Sequence, residues 1–304
     1  MLSGKNRFVI DLHSDFLHCI KYGKKCVTSP ENLKDSPVKI QFFAIFLLQR
    51  EKNFLMLARE LKSVVKLMKE NNMFWGRDLN EIIENIDNDK VIGIPAIEGA
   101  EILDIFPTWE WVLWLGVRYI TITWNFSNRF ADAALDNEKN KGLSIDGRNL
   151  LRWMDSKKII ADVSHISEKS FKYVIDTTSL PVIASHSNAY SLCEHPRNLK
   201  DYQIKEIADT GGTIGVNFCK TFLGEGGSGL DLIVNHIKYI SNLVGTEFVS
   251  IGSDFDGSKT PDDMKEPKDF LILRERLRKE GFSEKDIENI FFNNVLRIIK
   301  EIKR

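Results

Sequence analysis

The 304-residue chain is 43% hydrophobic and carries 42 basic against 43 acidic side chains, a formal net charge of −1. That balance leaves no electrostatic footprint for nucleic acid or an anionic membrane surface, so neither is expected as a partner. The length fits one large α/β domain over residues 1–304.

No apolar run approaches the ~20 residues needed to span a bilayer. Residues 1–8 lack a basic stretch followed by an apolar one, and residues 299–304 are charged rather than apolar. A cytoplasmic protein is the expectation. Cys19, Cys26, Cys193 and Cys219 show no CxxC spacing and are expected as reduced thiols.

In chain order, short β-branched runs alternate with longer helical patterns. Residues 8–12 read as a strand buried on both faces, leading into His13 and Asp15. Strand side chains two apart share a face, so this imidazole and carboxylate leave in one direction. A second strand is expected over 38–47. An amphipathic helix follows over 53–70, with Phe54, Leu57, Leu61, Val65 and Met68 on one side. A shorter helix is expected over 78–85.

The third strand, 91–97, ends in Glu98, and residues 102–115, with Trp109, Trp111 and Trp114, read as helix. Those tryptophans are expected to pack in the core. A fourth strand over 118–123 ends at Trp124-Asn125. A polar loop over 126–145 then leads to a helix over 147–156, with Asp146 as its N-cap. The fifth strand, 158–164, ends in His165, and Ser167 caps the next helix. The sixth, 180–184, ends in Ser185-His186-Ser187. A helix over 201–210 closes at Gly211-Gly212. The seventh strand is 213–218, with a glycine-rich loop at 223–229 and a helix over 230–243. The eighth, 248–252, ends in Ser253-Asp254-Phe255-Asp256-Gly257. Helices near 268–280 and 284–302 close the chain.

Eight strands separated by helices predict a (β/α)8, TIM-like barrel, in which strand C-termini converge on one mouth. The rival, a doubly wound sheet binding a dinucleotide, calls for a GxGxxG turn, and none follows a strand here. On a barrel, His13, Asp15, Glu98, His165, His186 and Asp254 share that mouth. Nitrogen and carboxylate donors without thiolate suit zinc, with manganese, cobalt or iron allowed on chemistry alone. Three His plus Asp and Glu exceed the needs of a single catalytic zinc, so two bridged ions fit better. His18, His195 and His236 read as ordinary loop or surface histidines, His236 on the surface of a helix.

Eight motifs carry a resemblance. They are Asp11-Leu-His-Ser-Asp15, Ile97-Glu-Gly99, Gly116-Val-Arg-Tyr-Ile-Thr-Ile-Thr123, Gly142-Leu-Ser-Ile-Asp-Gly-Arg148, Asp162-Val-Ser-His165, Ser185-His-Ser187, His195-Pro-Arg-Asn198 and Gly252-Ser-Asp-Phe-Asp-Gly257. In this order they resemble the membrane (renal) dipeptidases, metallopeptidases among the metal-dependent amidohydrolase-like barrels. The resemblance implies two zinc ions per chain, one held by His13 and Asp15, the other by His165 and His186, with Glu98 bridging. It implies a metal-bridging hydroxide that attacks the peptide carbonyl, Asp254 as its proton acceptor, and Arg197 as the partner of the substrate's C-terminal carboxylate. The implied substrates are dipeptides with a free C-terminus, L,D-dipeptides included, and a homodimer is suggested.

One departure stands out. Renal-type members carry a histidine at the position of Trp124, which helps hold the carbonyl oxygen. Trp124 offers one indole N–H and no charge, and is read as a wall of the substrate pocket. Two other readings fit the same residues: a different amide or ester hydrolase on this barrel, and a metal-stabilised binding protein without turnover.

Overall fold

The computed structural model describes residues 8–46, 54–136 and 141–303. Its strands are β1 (Val9–Asp11), β2 (Val38–Ile45), β3 (Phe74–Trp75), β4 (Ile92–Glu98), β5 (Tyr119–Thr121), β6 (Ile160–Asp162), β7 (Ile183–Ala184), β8 (Thr213–Val216) and β9 (Val249–Ile251). Every pairing is parallel. Neighbours run β2-β1-β9-β8-β7-β6-β5-β4, and a β2–β4 pairing from Ile40↔Ile92 to Ile45↔Ile97 closes the ring of eight. Helices connect the strands, so the chain is the TIM-like (β/α)8 barrel expected from its sequence. β3 is additional: two residues pair with β4 outside the ring, too short a run to leave a periodic signal.

Two apolar layers follow from strand alternation. One face packs against the helices; the other fills the barrel with Ile40, Phe42, Ile92, Ile94 and Ala96. The terminal helix Asn294–Lys303 sets Val295, Ile298, Ile299 and Ile302 against this inner cluster at i, i+3, i+4, i+7 spacing. Asn294 Nδ2 donates to Thr246 O (2.8 Å) and Val249 O (2.7 Å), which pins that helix to the start of β9. One end of the barrel is thus plugged, and the strand C-termini form the open end. Close approach there demands bare backbone: a Cβ on Gly252 would fall 1.8 Å from Ser185 O.

Several local expectations are corrected. Residues 102–115 are not one helix but a 3₁₀ turn, Ala100–Ile105, and a separate helix, Trp111–Leu115. Pro107 causes the break, because its ring forces Phe106 into extended backbone (ψ 140°). Trp109 and Trp111 pack partly buried against the core, whereas Trp114 is 60% exposed with the Arg77 guanidinium 5.0 Å above its ring. The cap of helix Ile145–Ser156 is Ser144 rather than Asp146, since Ser144 Oγ reaches Gly147 N (3.0 Å). Ser167 does cap helix Glu168–Thr177. Leu47 and Asn53, expected at the ends of a strand and a helix, lie outside the described residues.

Cys19 and Cys26 are joined by a disulfide, against the expectation of four reduced thiols; Cys193 and Cys219 are free. Cys19 lies on helix α1 (Phe16–Lys21), and the chain turns back after it to bring Cys26 alongside. No helix among the described residues is long and apolar enough to cross a membrane.

His236, expected on a surface, is fully buried in helix Gly229–Val244. Its Nδ1 accepts from Ala189 N (3.2 Å), so its Nε2–H donates to Leu223 O (3.2 Å). Burial lowers its pKa from 6.5 to about 4 despite the Leu223 bond. A depressed folded-state value stabilises the fold fully above pH 6.5 and is lost as pH falls toward about 4. His236→Gln is expected to flatten the acid side of a stability-versus-pH curve between these limits, as read from urea midpoints.

Candidate active site

β1 stops at Asp11, but the chain stays extended to Ser14, which bridges Phe255 just past β9. Asp15 N donates to Phe255 O (2.9 Å), fixing this strand end beside the β9 loop. Alternation then turns His13 and Asp15 the same way, with His13 Nε2 and Asp15 Oδ1 3.4 Å apart. Asp15 occupies the N-cap position of α1, yet its side chain makes no capping bond and faces the barrel axis instead.

Glu98 closes β4 on the inward face set by Ile92, Ile94 and Ala96, and is 3% exposed. Its two oxygens look to different partners. Oε2 lies 3.6 Å from His13 Nε2, while Oε1 lies 3.0 Å from His165 Nε2 and 3.5 Å from His186 Nε2. The His165 and His186 Nε2 atoms are only 2.9 Å apart. The barrel therefore gathers His13, Asp15, Glu98, His165 and His186 on one buried spot. Asp254 joins the His13 and Asp15 side, its ligand atom within 4.8 Å of theirs.

Backbone conformation contributes to this aim. His165 and Asp254 both adopt left-handed φ (66° and 60°), which is uncommon for residues with a Cβ. Such strain collects where a side chain must leave a strand end at a steep angle. Gly257 provides the space: a Cβ there would fall 2.2 Å from Asp15 Oδ2 and 2.6 Å from Asp254 Oδ1. Asp256 turns away and holds the neighbouring loop, accepting from Val27 N (2.7 Å) and Thr28 N (2.9 Å).

The surrounding bonds assign each imidazole its tautomer. Ser185 Oγ gives its one proton to Asp162 Oδ2 (2.6 Å), so its oxygen accepts from His186 Nδ1–H (2.7 Å). Asn125 Oδ1 accepts from His165 Nδ1–H (3.0 Å). Tyr119 OH donates to Leu12 O (2.6 Å) and lies 3.4 Å from His13 Nδ1. The His165 and His186 rings thus direct an Nε2 lone pair inward. Asp162 is itself pinned by Thr121 Oγ1 (2.6 Å) and by Ser164 N and Ser185 N (3.0 and 2.8 Å). Asp11 plays the same part across the barrel, accepting from Ser253 Oγ (2.6 Å), Ser253 N (2.9 Å) and Gln41 Nε2 (3.1 Å).

Charge in this cluster is unbalanced. Burial pushes Glu98 well above the usual carboxylate range and Asp254 up to about 6, even with His13 nearby. His13 goes the other way: burial disfavours its imidazolium, yet Glu98, Asp15 and Asp254 outweigh that and raise it to about 10. His165 and His186 are driven well below the ordinary value, first by burial and then by Arg197 and His13. His13 Nε2, Asp15 Oδ1 and Glu98 Oε2 are buried without a hydrogen-bond partner. Unpartnered nitrogen and oxygen donors around one point are what a divalent cation requires, and the donor set fits one.

The whole of residues 3–304 matches the family described as Membrane dipeptidase (Peptidase family M19). The chain belongs to that family. It is an M19 enzyme, a metal-dependent dipeptidase in class. A curated relative in Klebsiella pneumoniae, an uncharacterised protein in the pqqA 5′ region, is 35% identical over 236 residues, covering 72% of this chain and 86% of its own. An uncharacterised dipeptidase of Schizosaccharomyces pombe, C965.12, is 28% identical and covers 98% of this chain and 81% of its own. A metallopeptidase from Rhodobacter sphaeroides, crystallised with a phosphinate mimic of the dipeptide L-Ala-D-Ala, shares the fold at TM-score 0.84 and 21% identity. That match covers 96% of this chain and 98% of the other.

Of the remaining residues expected at the site, Arg197 is buried (3% exposed) with its Nη2 donating to His186 O (3.4 Å), and His165 and Arg197 line one cavity of about 140 Å³. Trp124 is half-buried and stacks on Phe46 at 5.2 Å. His18 and His195 stay outside the cluster, His195 Nδ1 accepting from Arg197 N (3.1 Å). Asn125, Ser185, Asp162 and Tyr119 were not singled out from sequence. Ser185 and Asp162 lie in motifs whose histidines drew notice, and Asn125 follows a strand end, so polarity at strand ends is the signal that marks them. Ser185→Ala and Asn125→Ala should each weaken divalent-metal retention about 10–100-fold, as measured by competition with a chelator, with the fold intact by circular dichroism.

Proposed function

We propose that this chain is a binuclear zinc dipeptidase acting on dipeptides with a free C-terminal carboxylate, L,D-dipeptides included. The observation that carries the reading is Glu98, whose two oxygens face two separate donor groups. His13 and Asp15 would hold one zinc, His165 and His186 the other, with Glu98 shared. Zinc held there supplies Lewis acidity toward a carbonyl and makes water acidic enough to attack at neutral pH.

The chain's own groups do the rest. Asp254 takes the proton of the attacking water and returns it to the leaving amine. Asn217 Nδ2 donates to its Oδ2 (3.1 Å) and orients it for this work. Arg197 meets the substrate carboxylate. Its guanidinium lies over the Phe222 ring at 5.4 Å and keeps a buried Nε without a partner, a donor available to a planar anion. Trp124 walls the pocket. The L-Ala-D-Ala mimic bound by the Rhodobacter enzyme supports including D-residues at the second position.

The same reading makes residues 1–304 one catalytic domain, working as a homodimer. A cytoplasmic location belongs to it too, although the Cys19–Cys26 bond weighs toward an oxidising compartment.

Zinc-loaded protein should contain two metals per chain and hydrolyse a panel of L,L- and L,D-dipeptides, with His186→Ala as the inactive control. Turnover no greater than that control would sink the proposal. Arg197→Ala is expected to raise KM for a dipeptide about tenfold or more while leaving cleavage of a C-terminally amidated analogue unchanged.

A further inference from the structure

Five aromatic rings form a continuous row at the open end of the barrel. Tyr22 and His18 come from α1 and its C-cap, Phe46 from the residue after β2, and Trp124 and Phe126 from the segment after β5. Successive centroids are 4.6 Å (Tyr22–His18), 4.8 Å (His18–Phe46), 5.2 Å (Phe46–Trp124) and 6.2 Å (Trp124–Phe126) apart. The two central pairs are stacked, at 26° and 27°. Phe126 is 49% exposed, Tyr22 46%, and the three between are half-buried. Single exposed apolar side chains are ordinary, but a contiguous row of rings at the mouth that holds the cluster marks a binding surface.

Two chain connections tie this row to the cluster. Asp15 precedes His18 by three residues, and Trp124 precedes Asn125, which orients His165. Ring topology supplies the direction. β2 lies four strands from β7 whichever way the ring is followed, so Phe46 and the segment carrying Arg197 leave opposite staves. A dipeptide whose carboxylate is held at Arg197, with its peptide carbonyl over the cluster, sends its amino-terminal residue toward Phe46 and Trp124.

We propose that Phe46, Trp124 and Phe126 form a specificity wall that selects dipeptides with an aromatic or large aliphatic side chain on the first residue. This rests on the dipeptidase reading given above. Stacked rings present a flat apolar face, and burying an aromatic side chain against aromatic neighbours is favourable in both area and ring geometry. A first residue that is small or charged gains nothing from such a face.

The test uses zinc-loaded, full-length protein and compares kcat/KM for Phe-Ala, Leu-Ala, Gly-Ala and Asp-Ala, with Ala-Phe and Ala-Gly as the second-position pair. The wild-type Phe-Ala to Gly-Ala ratio is expected to be about tenfold or more. It should fall toward one in Trp124→Ala and in Phe126→Ala, the latter altering an exposed side chain with little risk to folding. Reading a ratio within each variant cancels general loss of activity. A wild-type ratio within threefold, a ratio retained in both variants, or a collapse confined to the Ala-Phe/Ala-Gly pair each overturns the wall. If wild-type protein cleaves no dipeptide, the dipeptidase reading itself fails and the wall falls with it; if dipeptides are cleaved without preference, only the wall fails.

Discussion

A carboxylate placed where water does not follow is the constraint on which this barrel turns. Glu98 ends β4 inside the ring, and removing such a charge from water is worth several kcal/mol against the fold unless something answers it. The answer is built from distant segments: His13 on one side of the carboxylate and the His165–His186 pair on the other. Without a cation the arrangement can only share protons, which is why His13 is driven toward the imidazolium while His165 and His186 are driven away from it. Divalent charge resolves the conflict for all of them at once. M19 membership and this internal imbalance therefore point the same way, one from descent and the other from electrostatics.

Everything outside the cluster can be seen as holding that spot still. The terminal helix stops the far end of the barrel with aliphatic side chains packed on the inner apolar cluster. Asp162 and Asp11, each buried and each gripped by hydroxyl and backbone donors, hold the strand ends from which the histidines depart. Neither touches the cluster's centre. Their work is to leave Ser185 Oγ as an acceptor for His186, and to hold the first turn after β1 in place.

Much of this was legible in the sequence because barrels write their chemistry at strand ends. A histidine or carboxylate closing an apolar run at His13, Glu98, His165 or His186 is visible without coordinates, and alternation fixes its direction. The eight ring strands were readable for the same reason. Other features depend on distances that no spacing encodes. Asp146 and Ser144 are both capping types, and only the reach of Ser144 Oγ to Gly147 N chooses between them. Cys19 and Cys26 carry no motif; α1 and the turn after it bring them together. His236 sits in a helical pattern that looks solvent-facing until Ala189 and Leu223 close over both nitrogens. Asn125 and Ser185 are ordinary polar residues until the imidazoles they orient are in place.

The bonds between Asp11 and Ser253 span 242 residues of chain. A growing polypeptide exposes its first two donors, His13 and Asp15, almost at once, yet the wall beside them is made by β9, the last of the described strands to be synthesised. Contacts this distant in sequence form late. A ribosome paused before residue 253 has already made His13, Asp15, Glu98, His165 and His186, but the wall that fixes the first two is still missing. Closure of the ring, and with it the fixing of the His13–Asp15 pair, therefore waits for the end of the chain.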